Sequence, residues 1–544
     1  MLVMICLQKD FRFAQVVLIY SLTFKGIVMN QTIKKYVSAV LAVTFSVSPM
    51  GVVIAAEPVV KGPESVNDWR IAGENFIKHS KNLKENNRRA KNVILFVGDG
   101  MGVSTVTAAR ILEGQIAGKT GEENRLFFEK LPYLGLSKTY SWDQQTSDSA
   151  PTMTAMVTGY KTRDGMLSVN HTTTRGECNQ NVVKAKSLTT MLEQAAAAGK
   201  ATGVVSTARI THATPAATYA HTSIRDWEAD SNLPVGCEVK DIARQLIEVN
   251  SDVKRSLKVV LGGGRSNFLP NSVFDPENTS SKGVRKDGRN FTQEWVTSRN
   301  QFGDGSKFVF DKAGFDAANP NNTKYLLGLF ERSHMEYEAD RIATGAPKEP
   351  SLTEMTEKSI KMLDKNKSGF FLHVEGGRID HAHHAGNAKR ALLETIEFAK
   401  AVKKAYEMTD PNETLILVTA DHSHVFTIAG YPHRGNNILG LSKDVPNVDG
   451  QAPVEAKDSN GLPYATLSYA NGPGYRDSRP VLTEAQTSDL NFLQEATVPM
   501  GSETHAGEEV AIYASGPSAH LVKGTMEQNW IYYVMKEAFD FKKH

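Results

Sequence analysis

The sequence predicts an α/β protein, a three-layer α/β/α sandwich around a central, mostly parallel sheet. Two observations support this prediction. Uninterrupted apolar runs alternate with helical patterns along the chain, at residues 92–97, 201–205, 258–261, 369–374, 414–419 and 509–513. A strand that is apolar on both faces must be covered on both faces. Parallel strands are covered in this way by the helices that connect them. A hydrophobic content of 40% with 22% charged residues is also typical of a globular chain.

Helical periodicity is clearest between these strands, at residues 187–198, 353–363 and 388–408. Residues 429–503 differ, because Gly, Pro, Asn and Ser replace the long apolar runs. Short strands and turns are expected there. We therefore divide the chain after its first 56 residues into four parts: an N-terminal helical arm at 57–90, an α/β core at 91–428, an insertion at 429–503 and the end of the core at 504–544.

The N-terminus, residues 1–56, is interpreted as a leader. A positively charged pair, Lys34 and Lys35, is followed by an apolar run at residues 36–54. Two small residues, Ala55 and Ala56, come next. This order predicts a signal peptide at 29–56, with residues 1–28 surplus if translation begins at Met29. A transmembrane anchor is the alternative, which Ser, Pro and Gly in the apolar run disfavour. The mature protein is expected to be periplasmic or secreted, with no membrane span.

Charge and cysteine usage exclude some classes. The net charge is only +2 and no basic block occurs, so nothing indicates nucleic-acid binding. Of the three cysteines, Cys6 lies in the leader, which leaves Cys178 and Cys237. An oxidising compartment favours a disulfide between them, and two buried thiols are the alternative. Two cysteines cannot form a zinc site, so any metal needs His and carboxylate ligands.

Ser149 lies where a turn of small polar residues leads into a helix-compatible segment, residues 146–156. A helix N-terminus favours a bound phosphate, and a serine there can act as a nucleophile once its proton is removed. The alternative is a helix N-cap, which is the commoner role. No G-x-S-x-G motif surrounds Ser149. A metal ion is therefore the expected activator of its hydroxyl.

Clusters of acidic and histidine side chains lie at the ends of four predicted strands: three clusters follow a strand, and a histidine precedes the last strand. They are Asp99, Glu375, Asp380, His384, Asp421, His422 and His505. Ligands gather at the carboxyl edge of a parallel sheet. Asp380 and His384 are four residues apart and share one face of a helical turn, as ligands of one metal must. Arg225 is a candidate phosphate clamp, although an ordinary surface arginine is the alternative.

Together these motifs resemble the alkaline phosphatase family over roughly residues 91–540, and its animal members most closely. The motifs are Gly98-Asp99-Gly100-Met101-Gly102, Asp148-Ser149-Ala150, His212-Ala213-Thr214-Pro215-Ala216, the run 375–384, Thr419-Ala420-Asp421-His422 and Thr504-His505-Ala506-Gly507. The resemblance implies hydrolysis of small phosphate monoesters through a phosphoserine, with two zinc ions and one magnesium ion. It also implies a homodimer, with residues 429–503 as a crown-like lobe at its interface.

The resemblance implies a role for each candidate. Ser149 would be the nucleophile and a zinc ligand, and Arg225 would clamp the phosphate. One zinc would have three ligands: Asp380, His384 and His505. The other zinc would have Asp99, Asp421 and His422. The magnesium would have Asp99, Thr214 and Glu375, with His212 beside it. Two further histidines would support the site: His381 and His424.

Two further features are implied by the resemblance. A calcium site would be formed by Glu238, the carbonyl oxygen of Phe330, Glu331 and Glu349. Glu349 stands where the animal enzymes usually have Asp. Cys178 and Cys237 lie close to the positions of a disulfide in those enzymes.

Three alternative functions remain. A sulfatase of the same architecture is disfavoured, because Met153 stands where sulfatases have an arginine. A phosphodiesterase stays open, since the same two-metal centre can catalyse either reaction. A non-catalytic secreted metal-binding protein is disfavoured, because such a protein has no need for both Ser149 and Arg225.

Overall fold

Ten strands form one central sheet in the computed structural model, which describes residues 65–343, 345 and 347–541. In chain order they are β1 (Asn92–Gly98), β2 (Tyr133–Lys138), β3 (Ala201–Arg209), β4 (Leu257–Gly263), β5 (Ser306–Val309), β6 (Tyr325–Leu329), β7 (Phe370–Gly376), β8 (Thr414–Ala420), β16 (Val510–Ser515) and β17 (Gly524–Glu527). Their order across the sheet is β17-β2-β16-β8-β1-β7-β3-β4-β6-β5. In this sheet β16 is antiparallel to β8 and β2, and the other neighbours are parallel. The predicted mostly parallel sheet is confirmed.

Helices connect the strands and cover the sheet. They are α1 (Val66–Asn82), α2 (Val103–Ile116), α3 (Ser149–Thr158), α4 (Gln180–Ala185), α5 (Met191–Ala197), α6 (Ala213–Ala216), α7 (Ile242–Ile247), α8 (Ser251–Ser256), α9 (Phe291–Asn300), α10 (Lys312–Ala317), α11 (Glu338–Ala343), α12 (Leu352–Leu363), α13 (Arg378–His384), α14 (Ala388–Met408), α15 (Glu484–Thr487) and α16 (Trp530–Phe539). Short 3-10 helices occur at Phe127–Lys130, Asp230–Asn232, Arg265–Phe268 and Ala519–Leu521. Within the described ranges, no helix is both long and apolar enough to cross a membrane.

The central strand β1 shows why the fold has three layers. All of its residues are buried. Ile94 and Phe96 belong to one apolar core, together with residues of α2, α12 and α14. Val93, Leu95 and Val97 belong to a second core, together with residues of α3, α5 and α16. Each such side chain contributes about 1.5–3 kcal/mol by burial, so both faces must be covered, and the predicted α/β/α sandwich is confirmed.

The predicted leader, residues 1–56, lies outside the described residues. Helix α1 lies within the predicted arm and begins at a capping box formed by Ser65 and Asp68. None of its residues is buried, and Trp69 and Phe76 are 63% and 60% exposed. Helix α1 therefore presents apolar side chains to its surroundings.

Short strands build the region around the predicted insertion. They are β9 (Ser423–His424), β10 (Phe426–Ile428), β11 (Lys443–Asp444), β12 (Val454–Glu455), β13 (Leu467–Gly472), β14 (Ala496–Pro499) and β15 (His505–Ala506). They form three small sheets, β10-β13-β14, β11-β12 and β15-β9. The last pair sets His505 opposite His424. The insertion thus returns the chain to the end of β8 before β16 begins.

A disulfide joins Cys178 and Cys237, which are 59 residues apart. It packs beside a small apolar cluster formed by Met166, Val169, Val183, Trp227 and Val239. The two cysteines are thus the pair that the sequence indicated.

Replacing both cysteines by alanine is expected to lower the free energy of unfolding by about 2–4 kcal/mol, because a closed loop restricts the unfolded chain. Denaturant unfolding of Cys178→Ala/Cys237→Ala beside the oxidised wild type measures this change. The reduced wild type serves as control and should resemble the variant. Equal midpoints for oxidised and reduced wild type would show that the cross-link contributes nothing.

Candidate active site

The candidate residues meet at one edge of the sheet. Strands β1, β7 and β8 are parallel neighbours, with Gly98 paired to both Gly376 and Ala420. Their carboxyl ends therefore deliver Asp99, Glu375 and Asp421 to the same place. Strand β3 runs parallel to β7 and leads to His212 at this edge. The antiparallel β16 starts there, so His505 reaches the edge from the opposite direction.

Ser149 is the first residue of α3, whose ten residues are all buried. Its Oγ lies 3.3 Å from Asp99 Oδ1 and 3.2 Å from His422 Nε2. Asp148, not Ser149, occupies the N-cap position. The Ser149 hydroxyl thus points at a carboxylate and an imidazole at a helix N-terminus, where a phosphate is favoured.

One group of donors surrounds this hydroxyl. His422 Nε2 lies 3.4 Å from Asp99 Oδ1 and 3.3 Å from Asp421 Oδ2, and all three side chains are buried. Burial, with repulsion from Asp421, raises the pKa of Asp99 well above its ordinary value. The backbone N–H of Gly100 donates to Asp421 Oδ1 over 3.0 Å. Two buried carboxylates and an imidazole in contact call for a cation between them.

A second group lies beside the first. His384 Nε2 and His505 Nε2 are each 3.3 Å from Asp380 Oδ1 and 3.1 Å from one another. His384 Nδ1 lies 2.6 Å from the carbonyl oxygen of Glu503, and His505 Nδ1 lies 2.8 Å from that of Ser147. A carbonyl oxygen only accepts, so each Nδ1 carries the proton. Both Nε2 lone pairs are then free and point to one place, which is the arrangement of metal ligands.

A third group contains mainly oxygen. Thr214 Oγ1 donates to Asp99 Oδ2 over 3.3 Å. Ser206 donates to Glu375 Oε2, while Glu375 Oε1 is buried without a partner. The nearest ligand atoms of Asp99, His212 and Glu375 lie within 4.8 Å of one another. Burial raises the pKa of Glu375 to about 8. This oxygen set suits a hard cation such as Mg²⁺.

Arg225 is held in a fixed orientation. Its Nη1 donates to both carboxylate oxygens of Asp148, and its Nη2 lies 2.8 Å from His212 Nε2. Although burial opposes the charge, Asp148 raises the pKa of Arg225 further. The guanidinium therefore stays charged. Its partner Asp148 immediately precedes Ser149 in the sequence, which keeps the charge close to Ser149. Asp148 belongs to a motif that carries the family resemblance, but no role was predicted for it.

Three histidine rings pack together next to Arg225. The ring centroid of His212 is 5.3 Å from those of His334 and His381, and the latter two are 3.9 Å apart. Each ring has a guanidinium nitrogen 2.6–3.3 Å from one of its own nitrogens. The pairs are Arg225 with His212, Arg209 with His334 and Arg378 with His381. These cations disfavour a metal ion at this cluster and favour neutral rings. His334 carried no signal in the sequence.

His424 lies against the second donor group, with its Nε2 3.0 Å from Asp380 Oδ1. A Cβ atom on Gly100 would overlap the same Nε2, and Gly100 has φ +68°. A side chain there would both collide with His424 and strain the backbone. Gly100 is therefore required by the packing of the site.

The proposed calcium ligands come together only in part. Phe330, Glu331 and Glu349 lie at the end of β6 and in the chain after it, and burial raises the pKa of Glu349 to about 9, with repulsion from Glu331 adding to it. In the described part of the chain, no contact joins Glu238 to these two glutamates. Its backbone N–H donates to the carbonyl oxygen of Cys178 at the disulfide. Besides Glu349, the acidic neighbours of Glu331 are Asp275, Glu277 and Glu336.

Comparison with known proteins agrees with this geometry. The family model "Alkaline phosphatase" matches residues 90–541. The tissue-nonspecific alkaline phosphatase of Gallus gallus is 43% identical over 491 residues, which is 88% of this chain and 90% of that protein. The alkaline phosphatase of Gadus morhua is 42% identical over 487 residues, 88% of this chain and 97% of that protein.

Solved structures agree at the level of the fold. Alkaline phosphatase from Thermus thermophilus has a TM-score of 0.59 at 24% identity, covering 85% of this chain and 94% of its own. The enzyme from the Antarctic bacterium TAB5 has a TM-score of 0.54 at 21% identity, covering 84% and 99%. Since the family model and the curated relatives span nearly all of the described residues, the chain belongs to the alkaline phosphatase family.

Proposed function

We propose that the protein is a phosphoric monoester hydrolase that works through a covalent phosphate ester on Ser149. The observation that supports this most is the convergence of three elements at one edge of the sheet. They are the Ser149 hydroxyl at a helix N-terminus, the oriented Arg225 guanidinium, and two adjacent groups of metal donors. A protein that only bound metal ions would need the metal donors, but it would need neither the Ser149 hydroxyl nor the Arg225 guanidinium.

The donor sets fit the metals that the family implies. Zinc prefers imidazole and carboxylate ligands, and Asp380, His384 and His505 would hold one ion. Asp99, Asp421 and His422, with the Ser149 hydroxyl, would hold the other. Asp99, Thr214 and Glu375 would hold magnesium, with His212 next to it. When bound, these ions would lower the pKa of hydroxyl groups and neutralise charge on the transferred phosphoryl group.

The protein groups set the geometry of two steps. Ser149 Oγ gives up its proton and attacks phosphorus, so that a new O–P bond forms and the ester O–P bond breaks, and the leaving oxygen takes up a proton to become the free alcohol. Water then attacks phosphorus from the side that the leaving group vacated, the Ser149 O–P bond breaks, a proton of the water returns to Ser149 Oγ, and inorganic phosphate departs. Arg225 donates to the phosphoryl oxygens in both steps, because Asp148 and His212 hold its fork in place. The backbone N–H groups at the start of α3 donate to the phosphoryl oxygens as well.

Arg225→Ala is expected to weaken inhibition by inorganic phosphate by about 10–100-fold, since charge-assisted hydrogen bonds contribute about 1.5–3 kcal/mol. Phosphate inhibition constants for wild type and variant measure the effect. Arg225→Lys keeps the charge but loses the fork, and it should recover only part of the loss. An unchanged inhibition constant in Arg225→Ala would remove this residue from the phosphate site.

The proposed function is tested with three esters of one alcohol: 4-nitrophenyl phosphate, bis(4-nitrophenyl) phosphate and 4-nitrophenyl sulfate. The kcat/KM for the monoester should exceed those for the other two esters by at least about tenfold. This corresponds to an activation free energy lower by about 1.4 kcal/mol. Met153, buried in α3, supplies no guanidinium for a sulfate. A higher kcat/KM for the diester would make the protein a phosphodiesterase, and for the sulfate ester a sulfatase.

Further properties are proposed with the activity. Two zinc ions and one magnesium ion are expected, and a calcium ion would be held at the Phe330 carbonyl oxygen, Glu331 and Glu349. A homodimer is supported by the exposed apolar side chains of α1 and by Tyr431 in the insertion, which is 87% exposed. The disulfide supports a periplasmic or secreted location.

A further inference from the structure

Glu503 is a buried carboxylate, 1% exposed, two residues before His505. Its Oε2 lies 2.6 Å from His424 Nδ1, and its Oε1 accepts the backbone N–H of Val425 over 2.9 Å. Its backbone makes two further bonds with His384: the carbonyl oxygen lies 2.6 Å from Nδ1, and the N–H donates to the carbonyl oxygen over 2.9 Å. A single residue therefore holds two of the histidines at the centre.

These contacts decide which edge of each ring faces inward. A carboxylate and a carbonyl oxygen both accept, so the Nδ1 atoms of His424 and His384 carry protons. Their Nε2 atoms are then directed at Asp380 Oδ1, at 3.0 and 3.3 Å. A ring flip would exchange a nitrogen for a carbon at both ends and lose both contacts.

Two carboxylates select this orientation of His424. The His383 ring stacks on His424 with centroids 4.7 Å apart, and Gly100 lies against its Nε2, but such packing does not distinguish the nitrogen edges of a ring. Asp380 contacts Nε2 and Glu503 contacts Nδ1. Of the two, Glu503 is the one that is not itself a proposed metal ligand.

A buried carboxylate is costly unless it is paired. In the described residues the ion pairs of Glu503 are with His424 and His384, at 2.6 and 3.8 Å, and none is with Lys or Arg. An uncharged side chain would avoid this cost if Glu503 only filled space. The charge of Glu503 is therefore stabilised by the two histidines and by the Val425 N–H, and its position is fixed by them.

We propose that Glu503 is a positioning residue of the metal centre, which fixes His424 through its side chain and His384 through its backbone, and so sets the zinc affinity of the site containing Asp380, His384 and His505. This inference rests on the proposed function, because it takes that site to hold zinc. Residues that orient ligands through hydrogen bonds typically change metal affinity or activity by about 10–100-fold when they are replaced.

The test is Glu503→Gln in the full-length mature enzyme. Glutamine keeps one acceptor oxygen for the Val425 N–H and turns an NH2 donor toward His424 Nδ1, so it no longer holds the Nδ1 proton in place. Glu509→Gln, an exposed carboxylate six residues further along, is the matched control. Zinc affinity is measured by competition with a chromophoric chelator, and kcat and KM are measured at limiting and at saturating zinc.

Glu503→Gln is expected to bind zinc about 10–100-fold more weakly than wild type, to lose kcat at limiting zinc and to recover most of it at saturation. Glu503→Asp keeps the charge and should recover part of the affinity, while Glu509→Gln should match wild type. The proposal is overturned if Glu503→Gln holds zinc as Glu509→Gln does. It is also overturned if the zinc-saturated variant melts at a much lower temperature and zinc restores no activity, because Glu503 would then be structural. Failure of the proposed function would look different: wild type would bind zinc without hydrolysing the monoester, and the zinc affinities would still decide the role of Glu503.

Discussion

Ser149→Ala is expected to abolish the covalent phosphoenzyme and to lower kcat for a phosphate monoester by at least about 10³-fold, the scale seen when a nucleophile is removed. The Ser149 hydroxyl lies between Asp99 and His422. The neighbouring Thr152 hydroxyl is not expected to replace it, because its single proton is directed at the carbonyl oxygens of Asp148 and Ser149, each 3.0 Å from Oγ1. Rapid acid quenching with a radiolabelled monoester measures the phosphoenzyme.

Ser147→Ala is the matched control, because this serine lies two residues earlier and its Oγ contacts the carbonyl oxygen of Asp148. It should keep the burst of phosphoenzyme and most of kcat. Zinc content must be measured for each variant, since Ser149 is also an expected metal ligand. A burst of normal size in Ser149→Ala would place the nucleophile elsewhere and contradict the mechanism.

The inner strands could be predicted because their side chains are buried on both faces. Strands β1, β3, β4, β7, β8 and β16 all coincide with apolar runs in the sequence. Strand β2 was missed, because its residues alternate between buried and exposed positions. Strands β5 and β6 lie in a region, residues 264–350, that looks irregular in sequence. There a buried arginine, Arg265, is paired with Asp275 over 2.8 Å, and hydropathy does not reveal such a core.

The site could be predicted where ligands directly follow a buried strand, as Asp99 and Asp421 do. His505 was harder to place, because only the pairing of β15 with β9 brings it to His424. Glu503 and His334 were missed, since an acidic or histidine residue in a polar loop usually faces solvent. Glu238 was chosen by alignment with small gaps, and sequence spacing does not show which loop folds against Glu331.

Removal of the metal ions is expected to have the second large effect, on both hydrolysis and stability. Exhaustive dialysis against a chelator is expected to abolish monoester hydrolysis, and zinc with magnesium should restore it. The melting temperature should fall as well, because each ion held at a thousand times its Kd stabilises the folded state by about 4 kcal/mol. Without cations, Asp99, Asp421 and Glu375 repel one another in a buried cluster. A chelated protein that melts at the holoenzyme temperature would show that these carboxylates hold no metal.

The loss of stability should depend on pH with a definite sign. In the metal-free protein, burial raises the pKa of Glu375 from 4.5 to about 8. In the folded apoprotein Glu375 then keeps a proton above pH ~4.5 that the unfolded chain has lost, so the contribution of Glu375 to stability falls as the pH rises toward ~8 and levels off beyond. Bound metal replaces these protons, and the holoenzyme should not show this decline. The difference in melting temperature between holoenzyme and apoprotein should therefore widen from about pH 5 to about pH 8. Melting curves of both forms across that range measure it, and a constant difference would mean that Glu375 is ionised in the folded apoprotein.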